Sequence, residues 1–244
     1  MKNKVITVVH GSYSNTGRIG KGVQAKGFEE VRCCLPTGDT LPDCFDDIAG
    51  AVVFGGPMSA NDDDTLDFIA KELVWIDKVM EQGVPFLGIC LGAQMLARTM
   101  GATVKPHDDG WHEIGFNQVV PTDAGEELLG DMGFFYQWHG EGFDLPSGCD
   151  LLATSATGYF PHQMFQAAPQ AYGVQFHPEC SLDIIKLWMT EAAHRLEERG
   201  AQQPEEQLAN AEKYDHLVDA WVPGFLDRWL GESPARENVR DAAE

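Results

Sequence analysis

The chain has 244 residues, 43% of them hydrophobic, a size that suits one large α/β domain with a substantial core. Its 38 acidic and 17 basic residues give a net charge of −21, a field that repels nucleic-acid phosphates and anionic membrane surfaces, so neither is an expected partner. Six cysteines without a C-x-x-C pair exclude a disulfide framework, a zinc ribbon and a thioredoxin motif, and a cytoplasmic protein with reduced thiols is expected.

The N-terminus opens on lysines and a short apolar run at 5–9, which reads as a first strand and is too short for a signal-peptide core. No stretch approaches the roughly 18 apolar residues of a membrane span. Gly17-Arg18-Ile19-Gly20-Lys21-Gly22 lacks the spacing of a phosphate-binding loop and reads as the turn entering the first helix. A second apolar run, 51–54, closes into Gly55-Gly56-Pro57. Asp62-Asp63-Asp64 has no further ligand spacing after it, so a solvated loop is expected rather than a cation site.

Residues 66–80 place Ile69, Leu73, Ile76 and Met80 at helical spacing, and the apolar run 84–89 ends at Cys90. Strands that are apolar throughout, separated by helices, predict a parallel sheet covered on both faces. The ligand site then lies beyond the carboxyl ends of the strands, where Gly55-Gly56-Pro57, Cys90 and His177 fall. Later segments at 113–120, 151–154, 163–166 and 171–176 read as shorter, partly antiparallel strands. An amphipathic helix is expected over 183–199, carrying Ile184, Leu187, Trp188 and Leu196 on its apolar side. Another follows over 205–221, and the polar end, 231–244, is expected to fray. The tryptophans and methionines read as packing residues.

The chemistry concentrates in two segments. In Pro85-Phe-Leu-Gly88-Ile-Cys90-Leu-Gly92-Ala-Gln94 a buried strand ends, a nucleophilic side chain follows, and a helix begins at once. This is a cysteine version of the nucleophile elbow, with glycines two residues to either side because the turn is tight. The positive end of the helix dipole favours a thiolate there. Alone, such a cysteine is as readily a small buried core residue. In Tyr172-Gly-Val-Gln-Phe-His177-Pro-Glu179 another apolar strand ends at a histidine. An imidazole within reach of the thiol can take its proton and return it to a leaving amine. The carboxylate of Glu179 can hold the ring's tautomer. His107, His112 and His162 have no metal-ligand spacing, so neither metal nor cofactor is expected.

Gly-Ile-Cys-Leu-Gly-Ala-Gln at 88–94, Gln-Phe-His-Pro-Glu at 175–179 and the Gly55-Gly56-Pro57 turn together resemble the signatures of the class I glutamine amidotransferases, in that family's order. The resemblance covers roughly residues 1–190 and implies a three-layer, flavodoxin-like α/β fold with a mainly parallel central sheet. It assigns catalysis to Cys90, His177 and Glu179, and the oxyanion hole to the backbone N–H groups of Gly56 and Leu91. Gln94, Gly140 and Glu141 are the implied substrate contacts, and His139 shapes the pocket. Residues 191–230 are expected to form a helical extension of the domain and 231–244 a flexible tail. The intracellular-protease-like branch of the fold carries a histidine directly after the nucleophile; Leu91 stands there instead.

Trp111-His-Glu-Ile-Gly115 and Trp138-His-Gly-Glu-Gly-Phe-Asp-Leu-Pro146 resemble the free-standing subgroup similar to the GMP synthase amidotransferase domain. No synthase domain with a phosphate loop is expected after residue 190. Three functions stay open: glutamine hydrolysis that feeds ammonia to a separate synthase subunit, hydrolysis of small γ-glutamyl compounds, and a non-catalytic binding or regulatory module. The intact set of Cys90, His177 and Glu179 argues against the last.

Overall fold

A computed structural model describes residues 2–11, 14–130 and 133–231. The strands are β1 (Lys4–Val8), β2 (Glu29–Cys33), β3 (Ile48–Val53), β4 (Phe86–Ile89), β5 (Val104–Pro106), β6 (Glu113–Pro121), β7 (Phe134–His139), β8 (Glu141–Phe143), β9 (Asp150–Ser155), β10 (Met164–Ala168) and β11 (Ala171–Val174). The helices are α1 (Gly17–Ala25), α2 (Asp67–Glu81), α3 (Leu91–Thr99), α4 (Glu126–Leu129), α5 (Leu182–Glu191) and α6 (Pro204–Leu230).

Nine strands form one sheet in the order β2-β1-β3-β4-β11-β10-β9-β6-β7, and β5 pairs with β8 apart from it. The first five strands of that order run parallel and the rest antiparallel. The split follows from the connections: helices join the early strands, whereas short links join the later ones. Cys90 therefore sits at the carboxyl end of a central strand, with β3 on one side and β11 on the other.

The apolar strands bury both faces, as their composition demands. Val5 points into a layer with Ile19 and Val23 of α1 and with Val218, Val222, Phe225, Leu226 and Trp229 of α6. Ile6 and Val8 point the other way, toward Ile69, Ile76 and Val79 of α2 and Met95 and Leu96 of α3. The result is the expected three-layer α/β arrangement. A third cluster packs α5, through Ile184 and Ile185, onto Phe116 and Tyr136 of the antiparallel half. None of the helices among the described residues is long and apolar enough to cross a membrane.

Four expectations are corrected. Residues 17–22 are the first turns of α1 rather than the turn before it. The aspartates at 62–64 form a short 3₁₀ turn in which Asp62 accepts from the Ser59 N–H at 2.9 Å and Asp63 pairs with Arg98 at 2.8 Å. The helix expected over 183–199 ends at Glu191, because Ala192 leaves helical dihedrals, and a 3₁₀ segment follows over Ala193–Glu197. A 3₁₀ turn keeps nearly helical spacing, so the apolar pattern runs on past the break. The last helix begins at Pro204, a residue pre-organised for a first turn, and reaches Leu230. Val218, Val222, Phe225, Leu226 and Trp229 continue one apolar stripe past Pro223, so the helix runs beyond the 221 at which it was expected to end, within the helical extension expected over 191–230. Of the end expected to fray, 232–244 lies outside the described residues.

Candidate active site

The elbow is built by close packing. A side chain on Gly88 would lie 2.4 Å from the Gly92 carbonyl oxygen, and one on Gly92 would lie 2.0 Å from that of Val53. Only bare backbone lets the strand turn directly into the helix here. Cys90 takes φ 51°, and among the described residues no other non-glycine has a positive φ. Its N–H donates to the Val174 carbonyl at 2.8 Å, tying the elbow to β11. The side chain stands at the N-terminus of α3, whose first N–H groups, Leu91 among them, have no intrahelical acceptor.

His177 follows β11 along the same edge. Its Nδ1 lies 2.7 Å from Oε1 of Glu179, and both side chains are buried. Two neighbouring elements fix the turn between them: the His177 N–H donates to the Tyr136 carbonyl of β7 at 2.8 Å, and the Arg18 N–H of α1 donates to the Glu179 carbonyl at 3.0 Å. Burial works against a charged imidazole, but the Glu179 carboxylate and the nearby Cys90 sulfur outweigh it, and the His177 pKa is pushed up to about 10. Nε2 of His177 is buried without a hydrogen-bond partner among the described residues. Cys90 acts on this ring chiefly through its charge.

Cys180 is also close: its sulfur, the His177 ring and the Glu179 carboxylate offer ligand atoms within 4.8 Å of one another. Burial and the Glu179 charge push the Cys180 thiol well up, which favours the neutral form. The His177 Nδ1 is already engaged with Glu179. The arrangement fits an oriented base better than a cation site.

The turn after β3 passes close to two histidines. A side chain at Gly55 would lie 2.8 Å from Cε1 of His177, and one at Gly56 the same distance from Cβ of His10. His10 lies two residues past the end of β1, and its Nδ1 lies 3.1 Å from the Gly55 carbonyl oxygen.

The cleft beside Cys90 has two lobes that share Gly56, Pro57, Cys90, Trp138 and Arg195. The first, about 280 Å³, is also lined by Gln94, Gly140, Glu141, His139 and Ser59. Gln94 Nε2 donates to the Glu141 carbonyl at 3.0 Å, and Ser59 Oγ donates to Oε2 of Glu141 at 2.8 Å. His139 lies between the Glu141 carbonyl (Nδ1, 2.9 Å) and Oε2 of Glu113 (Nε2, 3.2 Å). Ser155, Thr157 and Gln163 also donate to Glu113. Burial would raise that carboxyl, but His139, Ser155 and Thr157 hold it below the usual glutamate range. The second lobe, about 450 Å³, is lined by His177, Trp188, Ala192, His194 and Ser14.

Every residue to which the resemblance gave a site role lies at this edge: Cys90, His177 and Glu179 together, Gly56 and Leu91 beside the thiol, and Gln94, Gly140 and Glu141 along the first lobe. The sequence reading missed His10, Glu72, Glu113 and Arg195, and it took Trp138 and Trp188 for packing residues. His10 alone carried a usable signal, since it directly follows the apolar run 5–9 at the same sheet edge as Cys90.

A mixed sheet between two helical layers, with a cysteine elbow at the end of a central strand, defines a thiol-bearing α/β protein. A family model for glutamine amidotransferase class-I matches residues 32–189, and the chain belongs to that family. It is 27% identical over 197 residues to the glutamine amidotransferase-like protein YfeJ of Salmonella typhimurium, covering 75% of this chain and 78% of that one. With the glutamine-hydrolyzing GMP synthase of Streptococcus equi the identity is 30% over 181 residues, 72% of this chain but 33% of the synthase. The chain thus spans about a third of that relative's length. A solved glutamine amidotransferase from Thermotoga maritima is similar at a TM-score of 0.84 and 27% identity, over 94% of this chain and 99% of that one.

Proposed function

We propose that the chain hydrolyses a γ-glutamyl amide through a γ-glutamyl thioester on Cys90. The observation that carries this is the His177–Glu179 pair at 2.7 Å, with the remaining ring nitrogen unpartnered beside the elbow. The Cys90 thiolate attacks the γ-carbonyl carbon, and the N–H groups of Gly56 and Leu91 stabilise the oxyanion. The C–N bond breaks as His177 passes its proton to the departing amine. Water, deprotonated by His177, then cleaves the thioester, releasing glutamate and restoring the thiol. Gln94, Gly140 and Glu141 hold the amino-acid end in the first lobe.

The test is glutamate release from glutamine and from γ-glutamyl amides by the purified chain, with Cys90→Ala as the blank. Turnover that disappears in the variant, with a γ-glutamyl adduct on wild-type Cys90 by mass spectrometry, supports the assignment. Turnover that persists in Cys90→Ala sinks it.

The match to part of a GMP synthase favours a second reading, in which the released amine is ammonia destined for a separate synthase subunit. Glutamine turnover that is weak alone and rises severalfold with a synthase subunit present is its signature.

A further inference from the structure

Resting on that hydrolytic reading, we infer that the second lobe is a leaving-group site, and that it selects amines bearing a bulky apolar body and a carboxylate: γ-glutamyl amino acids rather than glutamine. Three observations converge on this.

The first is position. The departing amine takes its proton from His177, so it leaves on the side of the cleft that His177 faces. His177 lines the second lobe and not the first, whereas Gln94 and Glu141 line the first and not the second. Cys90 stands where the lobes meet. A γ-glutamyl amide laid across Cys90 with its amino-acid end on Gln94 and Glu141 puts whatever is bonded to the amide nitrogen into the second lobe.

The second is size and surface. Ammonia is the size of a water molecule, which occupies about 30 Å³ in the liquid. The second lobe is about 450 Å³. Its walls include Trp138 and Trp188, edge to face at 6.0 Å, and Trp188 also packs edge-on against His177 at 4.9 Å. Both indoles are only partly buried, so each keeps apolar surface for a ligand. Aromatic walls of this kind suit a leucine-, phenylalanine- or tryptophan-sized side chain.

The third is charge. Arg195 lies on the rim shared by both lobes, within the 3₁₀ segment that follows α5. In this acidic chain Arg18, Arg98 and Arg228 each pair with a carboxylate. Arg195, a partly buried residue, has no ion pair among the described residues; its charge acts on His112, which itself pairs with Glu198 at 3.8 Å. A guanidinium forms strong paired hydrogen bonds with a carboxylate, and the α-carboxylate of a γ-glutamyl amino acid is the group such a substrate would bring there.

The experiment compares kcat/KM for γ-glutamyl-phenylalanine, γ-glutamyl-phenethylamine (the same body without the carboxylate) and glutamine, in wild type, Arg195→Ala, Arg195→Lys and Trp188→Ala. Wild type is expected to prefer γ-glutamyl-phenylalanine over glutamine by about tenfold or more, the worth of one charge-assisted hydrogen bond. Arg195→Ala is expected to remove about tenfold of kcat/KM for γ-glutamyl-phenylalanine, chiefly through KM, and roughly threefold or less for the phenethylamide. Arg195→Lys should restore part of the loss, and Trp188→Ala should weaken both aromatic substrates relative to glutamine. A preference for glutamine, or an Arg195→Ala loss equal on the two aromatic substrates, overturns the leaving-group assignment alone. No turnover of any γ-glutamyl compound overturns the hydrolytic reading beneath it.

Discussion

Nε2 of His10 lies 2.8 Å from Oε2 of Glu72, and both side chains are fully shielded from solvent behind the Gly55-Gly56 turn. The other ring nitrogen lies 3.1 Å from the Gly55 carbonyl oxygen, so both His10 nitrogens face oxygen acceptors. Glu72 belongs to α2 and His10 lies just past β1, so the pair links a helix and a strand end to the turn that would bind the oxyanion. An oxyanion hole works only if its donors are already in place.

Removing one partner of this pair therefore has two effects. Glu72→Ala leaves a buried imidazole without its carboxylate and should destabilise the fold by about 3 kcal/mol. The milder Glu72→Gln, which keeps the size of the side chain, should lower kcat by roughly tenfold with little change in KM, since the turn acts on the transition state. Thermal unfolding reads the first and steady-state kinetics the second. An unchanged kcat in a folded Glu72→Gln protein removes the pair from any part in catalysis.

Glu179 is expected to orient rather than to react. Glu179→Gln should lower kcat by about 10²- to 10⁴-fold, less than Cys90→Ala, because the thiol and the oxyanion donors survive. A loss as large as that of His177→Ala makes orientation by Glu179 indispensable, and no loss removes it from the triad.

The His177 ring has a definite pH signature. Its folded-state pKa is raised, so the stability it contributes is fully present below its unfolded value of 6.5 and is lost as pH rises through about 10. The gap in thermal midpoint between wild type and His177→Gln should narrow steadily between those two values. Replacing Cys90 by Ala removes one of the charges that raise the ring, so NMR titration of that variant should give a lower His177 pKa than wild type. An unshifted titration means the thiol and the ring are not coupled.

Glu113 carries the opposite sign. Its folded-state pKa is depressed, so its contribution is present above its unfolded value of 4.5 and is lost as pH falls through the lower folded value. Wild type should exceed Glu113→Gln in stability at neutral pH, and the difference should close in acid. Chemical unfolding at pH 7 and at pH 3 checks it.

The parallel half of the fold and the clustering of Cys90 with His177 and Glu179 were legible because each was written locally. The run 84–89 is apolar without interruption and stops at Cys90 between two glycines; a buried strand and a tight turn need nothing more distant. His177 stands at another such strand end, with Glu179 two residues on. The supporting groups were not legible, because they are assembled across the sheet. Glu113 reads as an ordinary acid at the start of a strand, and the partners that hold its charge lie 26 to 50 residues further along the chain. Glu72 sits in an amphipathic helix where a glutamate is expected to face water, yet it is wholly buried against His10. Arg195 falls past the point where helical phase still tells direction, since α5 gives way at Ala192. The long reach of α6 was hidden by Pro223, a residue that usually argues against a helix interior.

The left-handed backbone at Cys90 also bears on how such a chain could age. A β-carbon held at φ 51° carries conformational strain of about 1–3 kcal/mol, which a glycine at the same place would not carry. Strain alone would thus favour glycine at position 90, against which stand the packing of the buried thiol and the backbone entropy that a glycine loses on folding. On the proposed chemistry, natural variants of this chain with glycine at position 90 should be without turnover.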